Sequence, residues 1–340
     1  MKTTAHSPES IPLVIKIASS TQVQTLSPPP SRHSLLGLGL VAVSAFTFSL
    51  MSTAIKYELN YMSSMETLFW RSFGSWVFIL VQPTALSHML ILATRTCVFV
   101  PRDLVFFVAC RSVLGFWSMT MMFWTMSQMV LADASCIIFT SPVMTFLLGA
   151  LVLGEHIKPV DFALAISCFA GVVFVARPVF LFGDAESPVA AAHGSKYAVL
   201  GGLAAAAFQS SAYVAIRRLK SLNFLVVIFY FMLVSSTLAA LWIVTWEGGF
   251  QGSLSTSVWW SCMSTGFLGF LGQLCVTKGF QLENVGIASV MRYLDIVFVF
   301  VWDSTLLHER ISIWSFVGAA IILSCAITIA IRKANATPQA

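Results

Sequence analysis

SVMRYLDIVFVFVWDSTLLHER, residues 289–310, decides how this chain is read. Most of it is Val, Phe, Leu, Ile and Trp, as in a helix that crosses a bilayer. Yet Arg292, Asp295 and Asp303 interrupt it. Each such charge costs roughly 2.5–3.5 kcal/mol at the centre of a membrane helix. On one continuous helix all three project within an arc of about 80°. Facing lipid would be costly, so that side looks into the protein or into water. Arg292 and Asp295, three residues apart, can also pair.

The rest of the chain resembles this stretch in its apolarity. Its 340 residues are 58% hydrophobic and 10% charged, against about 25% charged in a soluble domain. Mean hydropathy is +0.86. Segments long enough to cross a bilayer, about 20 apolar residues each, recur along nearly its whole length, and a soluble helical core cannot hide so many. The net charge of +5 is scattered between them without a basic run, which argues against nucleic acid as a partner. The seven cysteines form no CxxC pair and have no His at ligand spacing. They read as small buried apolar residues, and no metal or cofactor is expected. Residues 1–33, with the run SPPPS, read as a disordered tail. IPLVIKIA (11–18) is interrupted by Lys16 and is a poor signal-peptide core.

Ten spans are expected, at 34–56, 64–82, 104–126, 131–153, 158–176, 197–217, 223–246, 258–280, 285–307 and 312–331. Ser63 and Glu66 form a capping box before the second. Pro101 precedes the third and Pro159 opens the fifth. The stretch at 86–100 is apolar enough to suggest an eleventh, but an internal repeat argues against it. Placing 132–165 over 286–319 matches nine of 34 positions without a gap, among them Glu155 with Glu309 at the joint between two spans. SAFTFSLMSTAIK (44–56) likewise resembles AAFQSSAYVAIRR (206–218). From Ala45 to Glu155 is 110 residues and from Ala207 to Glu309 is 102, and the difference is too short for another crossing. The expected fold is therefore an all-α membrane protein of ten transmembrane helices as two inverted five-helix repeats. Its parts are a tail (1–33), a first repeat (34–176), a loop (177–196), a second repeat (197–331) and a tail (332–340). Inverted repeats characterise secondary transporters, with a site near the midplane.

With the N-terminus inside, twelve Lys and Arg fall on inner segments, four on outer ones and three within spans. That bias puts both ends in the cytosol, in a plasma membrane or endomembrane protein. The sequon Asn335-Ala336-Thr337 then stays unmodified.

Besides Arg292, the arginines within spans are Arg71, some 12 Å into the second helix, and Arg111, two turns into the third. The repeat supplies no counterpart for the charges of the ninth span: Ile138 aligns with Arg292, Ser141 with Asp295 and Gly149 with Asp303. A symmetric scaffold with asymmetric charge suggests a binding site. Guanidinium suits carboxylate and phosphate, so an organic anion is the expected solute. The plainer alternative is that Arg292 and Asp295 brace the fold while Arg71 snorkels to an interface. Asp295 or Asp303 can instead carry a proton. Trp117 and Trp124 either line a cavity or pack. Glu155 and Glu309 either begin the fifth and tenth helices, where negative charge suits the dipole, or act in gating. Gly266, Gly269 and Gly272 let another backbone approach the eighth helix.

The five-plus-five pattern, the GEH and HER joints after spans four and nine, and LFWRSFGSWVF in the second span resemble the drug/metabolite transporter superfamily, in its EamA-domain branch. Within it, Arg292, Leu294, Asp295, Ile296, Val297 and Phe298 resemble the ninth span of solute carrier family 35, subgroup G. LLHER departs from LVLGEH in lacking the Gly. The resemblance implies a carrier of metabolites such as organic anions, amino acids or nucleotide-linked compounds. The implied partners are a small-molecule solute and the bilayer, with a proton, a counter-substrate or a homodimer left open. Substrate contacts are expected at Arg292, Asp295, Arg71, Arg111, Asp303 and Trp117. A neutral amino acid or nucleoside carrier, or a non-transporting scaffold, is the rival reading. HExxH, GxSxG and P-loop patterns are absent, so an enzyme is not expected.

Overall fold

In a bilayer core every backbone N–H and C=O must find its partner within the protein, which favours continuous helices. The computed structural model describes residues 33–81, 100–128, 131–156, 158–176, 197–251, 254–305 and 313–335, and they are helical with short joints. The helices are α1 (His33–Glu58), α2 (Ser64–Val81), α3 (Arg102–Gln128), α4 (Leu131–Ile138), α5 (Ser141–Leu153), α6 (Pro159–Ala176), α7 (Ala198–Arg218), α8 (Phe224–Trp242), α9 (Thr256–Leu282), α10 (Val285–Met291), α11 (Leu294–Thr305) and α12 (Ile313–Asn335). A π-helical turn, Ile243–Glu247, extends α8. Six stretches are long and apolar enough to cross a membrane: Leu35–Ile55, Arg102–Met126, Ala134–Leu153, Ala198–Arg218, Phe224–Glu247 and Phe316–Asn335.

The start signals act as expected. Ser63 Oγ accepts the Glu66 amide at 3.1 Å and opens α2. The reciprocal arm of the capping box does not form, because Glu66 accepts instead from Trp70 Nε1 and the Gln251 amide. Within helices, hydroxyls return to carbonyls one turn back, as Thr47 does to Val43 at 2.7 Å and Thr145 to Ser141 at 2.8 Å. This keeps polar side chains satisfied where no water is at hand.

Two segments expected as single helices are interrupted. The stretch 131–153 breaks at Phe139–Thr140, between α4 and α5. The stretch 285–307 breaks at Arg292–Tyr293, between α10 and α11. At both, amides bond three residues back rather than four: Thr140 to Ile137 (3.1 Å), Arg292 to Ser289 (3.0 Å) and Tyr293 to Val290 (3.1 Å). Pro142 in the first turn of α5 removes one donor and explains the first break. No proline or glycine stands at the second.

The helices pack across the chain rather than along it. Helix α1 lies on α9 and α11, while α7 lies on α3 and α5. Helix α2 contacts α8 and α9, α8 contacts α3, and α6 contacts α12. Glycines allow the closest crossings. Gly266 of α9 faces Gly74 of α2 so closely that a Cβ would lie 3.2 Å from the opposing Cα. Gly269 leaves room for Ser75 and Arg71.

Polar contacts close the bundle at both ends of α9. At its start, Tyr57 bonds Ser257 (3.2 Å) and Ser63 bonds Glu247 (2.6 Å). At its end, Arg217 pairs with Glu155 (3.1 Å) and Lys333 with Glu283 (2.8 Å), and Arg332 pairs with Asp161.

Candidate substrate site

Arg71, Arg111 and Arg292 come from α2, α3 and the α10–α11 break, and Arg111 lies near both Arg71 and Tyr213, which also neighbours Arg292. Arg71 is 2% exposed and Arg111 is 3% exposed. The Nε of Arg71 lies 3.2 Å from Met51 Sδ, and its Nη1 lies 2.9 Å from Met119 Sδ. Thioethers are weak acceptors. Arg111 donates Nη2 to Gln273 Oε1 at 3.0 Å and stacks 3.9 Å over the Phe231 ring, while its Nε is buried without a partner. The two guanidiniums lie within electrostatic reach of each other. Neither joins any of the four ion pairs among the described residues.

Arg292 differs. Its Nη2 holds Asp295 Oδ2 at 2.9 Å, the expected i,i+3 pair, and its guanidinium sits 4.9 Å from the Phe48 ring centroid. Its Nη1 and Asp295 Oδ1 are buried without partners. Tyr213 lies near both Arg111 and Arg292. Tyr213 is itself fixed by stacking on Phe280 at 4.2 Å. Arg292 and the fully buried Tyr293 sit at the interruption between α10 and α11.

Other candidates lie elsewhere. Trp117 is 37% exposed and its ring meets Phe116, so the described contacts do not bring it to the arginines. The backbone of Asp303 belongs to α11, but its side chain lies outside the described residues, as does all of Glu309. Glu155 serves a helix end, though not that of the fifth span. Its Oε2 accepts the Val285 amide at 2.9 Å and caps α10, while Oε1 pairs with Arg217. Burial pushes its carboxyl up from the ordinary range against the pull of Arg217. Gln273, Tyr213 and the buried carboxylate Glu58 were not singled out in the sequence, because single polar residues in apolar runs carry no pattern.

Arg71 and Arg111 are enclosed, and Arg292 is half-buried. A cavity of about 20 Å³ lies at the joint between Glu155, His156, Asp161, Asn284 and Phe146. It has room for one water and not for a metabolite.

The family model of EamA-like transporters matches residues 35–177 and 196–331. The chain belongs to the EamA-like transporter family. Solute carrier family 35 member G1 of Homo sapiens is 27% identical, over 88% of this chain and 80% of its own length. The pseudopaline exporter CntI of Pseudomonas aeruginosa is 28% identical, over 87% of this chain and 96% of its own. A solved crystal structure superposes with a TM-score of 0.69 at 18% identity, covering 90% of this chain and 99% of the other, which speaks for the fold alone. This EamA protein is therefore an integral, multi-pass membrane transporter of a small molecule, and not an enzyme.

Proposed function

We propose that this EamA protein carries an organic anion by alternating access, with Arg71, Arg111 and Arg292 as the anion site and Asp295 orienting Arg292. One observation carries the reading: Arg71 and Arg111 are enclosed in apolar protein with no carboxylate in contact among the described residues. Burying a cation without a carboxylate in contact is expensive. A site whose donors rest on thioethers and an amide oxygen gains most when a carboxylate or phosphate replaces them. Because Arg71 and Arg111 are enclosed, a solute reaches them only when the helices part, first at one end and then at the other.

Ten spans in two inverted repeats, with both termini cytosolic, form the scaffold of this reading. Three observations support it. The two breaks fall at corresponding positions of the repeat, as discontinuous helices do in inverted-repeat transporters. The packing of α1 on α9 and α11 has its counterpart in that of α7 on α3 and α5. Joints expected on one side of the membrane meet one another, as Glu155 meets Arg217 and Ser63 meets Glu247. The inner end is then the one held by the Glu155, Asp161 and Glu283 ion pairs.

The test is a thermal-shift screen of the purified protein against carboxylates, phosphates, amino acids and nucleosides, since a ligand that prefers the folded state raises the melting point. Stabilisation by carboxylates or phosphates, lost in Arg292→Ala along with uptake into proteoliposomes, is the expected result. Stabilisation by neutral amino acids alone would favour a zwitterion held between Arg292 and Asp295. Stabilisation by cations alone would overturn both.

A further inference from the structure

Glu58 ends α1, three residues past the apolar stretch Leu35–Ile55. It is 0% exposed. Its Oε1 accepts from Ser261 Oγ (2.9 Å) and Thr265 Oγ1 (3.0 Å) of α9. Its Oε2 is buried without a partner, and Glu58 joins none of the four ion pairs among the described residues.

Glu66, also buried at 2%, is held differently. It stands in the first turn of α2 and accepts from N–H donors, Trp70 Nε1 and the Gln251 amide, both at 3.3 Å. Glu58 stands at the C-terminal end of α1, where the helix dipole opposes an anion. Its donors are hydroxyls with other acceptors within reach, the Ala54 carbonyl for Ser261 (3.5 Å) and the Cys262 carbonyl for Thr265 (3.0 Å). When Glu58 is protonated, its O–H can donate to one of these hydroxyls, whose own hydrogen turns to the carbonyl.

The charged and titratable groups facing Glu58 are Arg71 of α2 and the Cys262 thiol of α9, which also senses Glu66. Arg71 packs at Gly269 of α9, one turn from the Thr265 that holds Glu58, and forms no ion pair with that carboxyl group. Its charge therefore acts at a distance on Glu58 and on the anion site at once.

We propose that Glu58 is the proton-binding site of the carrier and that Arg71 couples it to the solute. With Arg71 unengaged, its field favours the Glu58 carboxylate. An anion on Arg71 cancels that field, and Glu58 takes a proton from water on the side to which the site is open. Anion and proton then cross together, and the O–H bond breaks again when the anion leaves. No other bond changes. The proposal rests on the anion reading of Arg71.

Its test needs no solute. The full-length protein is purified in detergent, and infrared pH-difference spectra are recorded from acid to neutral pH. The wild type is expected to show a protonated-carboxyl band that fades as pH rises, and Glu58→Gln to lack that component. Arg71→Gln is expected to move the fading to higher pH, and Arg71→Lys, which keeps the charge, to leave it near the wild-type position. Should Arg71→Gln fail to fold, the Glu58→Gln comparison decides alone. An unchanged band in Glu58→Gln, or an unmoved midpoint in a folded Arg71→Gln, overturns the proposal. Thermal stabilisation by carboxylates, which Glu58→Gln should retain, tests the anion reading separately. Its absence from both proteins would sink that reading while the band still reports on Glu58.

Discussion

The rings of Phe139 and Tyr293 meet where the two interrupted helices break, 6.3 Å apart between centroids and tilted by 32°. The same two residues correspond in the internal repeat, so each half presents its break to the other. Tyr293 is fully buried, and its hydroxyl has no partner. An unsatisfied buried hydroxyl costs about 1–3 kcal/mol, whereas deleting a buried aromatic costs about 3–5 kcal/mol. Tyr293→Phe should therefore melt at or above the wild-type temperature, and Tyr293→Ala well below it. A marked fall in Tyr293→Phe would mean that the hydroxyl is bonded after all.

Arg217 joins the two repeats through Glu155 (3.1 Å), the Gln281 carbonyl (2.7 Å) and Asn284 Oδ1 (3.4 Å). Arg217→Ala removes all three contacts and leaves the Glu155 carboxylate half-buried, which should lower stability by about 1–3 kcal/mol in chemical or thermal unfolding. The pH dependence has a definite sign. Burial raises the Glu155 carboxyl, so the folded protein holds a proton there that the unfolded chain has released. This contribution is full below the ordinary carboxylate value and is lost as pH rises through the raised one. Glu155→Gln should lose less stability than the wild type over that window. A steeper loss in the variant would reverse the assignment.

The features legible in the sequence are the ones whose signal is local and repeated. Pro159 opens α6 and Ser63 opens α2 because each supplies a definite backbone effect at its own position. The Arg292–Asp295 pair follows from helical spacing and still forms although the helix breaks beside it, since a tight turn also brings residues three apart together. The break itself left no trace, because Arg292 and Tyr293 are ordinary helix residues and only packing against Phe139 marks the place. Glu58 lies just past the expected end of the first span, at 56. Its burial depends on α9, some 200 residues away in the chain, where Ser261 and Thr265 receive it. Gln273 and Tyr213 matter only because Arg111 and Arg292 reach them from other helices.

Arg111 presents a planar fork that donates to Gln273 and stacks over Phe231, and in the proposed anion site that fork would hold the solute. Lysine keeps the charge but neither holds two oxygens nor stacks in the same way. Stacking of a desolvated cation is worth about 2 kcal/mol, and each 1.4 kcal/mol is tenfold in affinity. Arg111→Lys should therefore bind the stabilising anion about tenfold or more weakly, and Arg111→Ala should not bind it, as read by titrating the melting point. Equal affinity in Arg111→Lys would reduce Arg111 to a diffuse charge outside the site.

Helices α6 and α12 cross at Gly171 and Gly318. A Cβ on Gly318 would meet the Gly171 carbonyl oxygen and Val175, and one on Gly171 would meet Ile322 at 2.8 Å and the Gly318 oxygen at 2.9 Å. Backbone cannot yield as a flexible side chain does, so Gly318→Ala must push the helices apart, at a cost of about 1–3 kcal/mol. Gly39 is the control, because a Cβ there meets nothing within 4 Å. Within helix α1, alanine in its place should gain about 0.5–1 kcal/mol through the stiffer backbone. Thermal unfolding should therefore move down for Gly318→Ala and level or up for Gly39→Ala. If both substitutions move it equally, the crossing does not depend on the missing side chains.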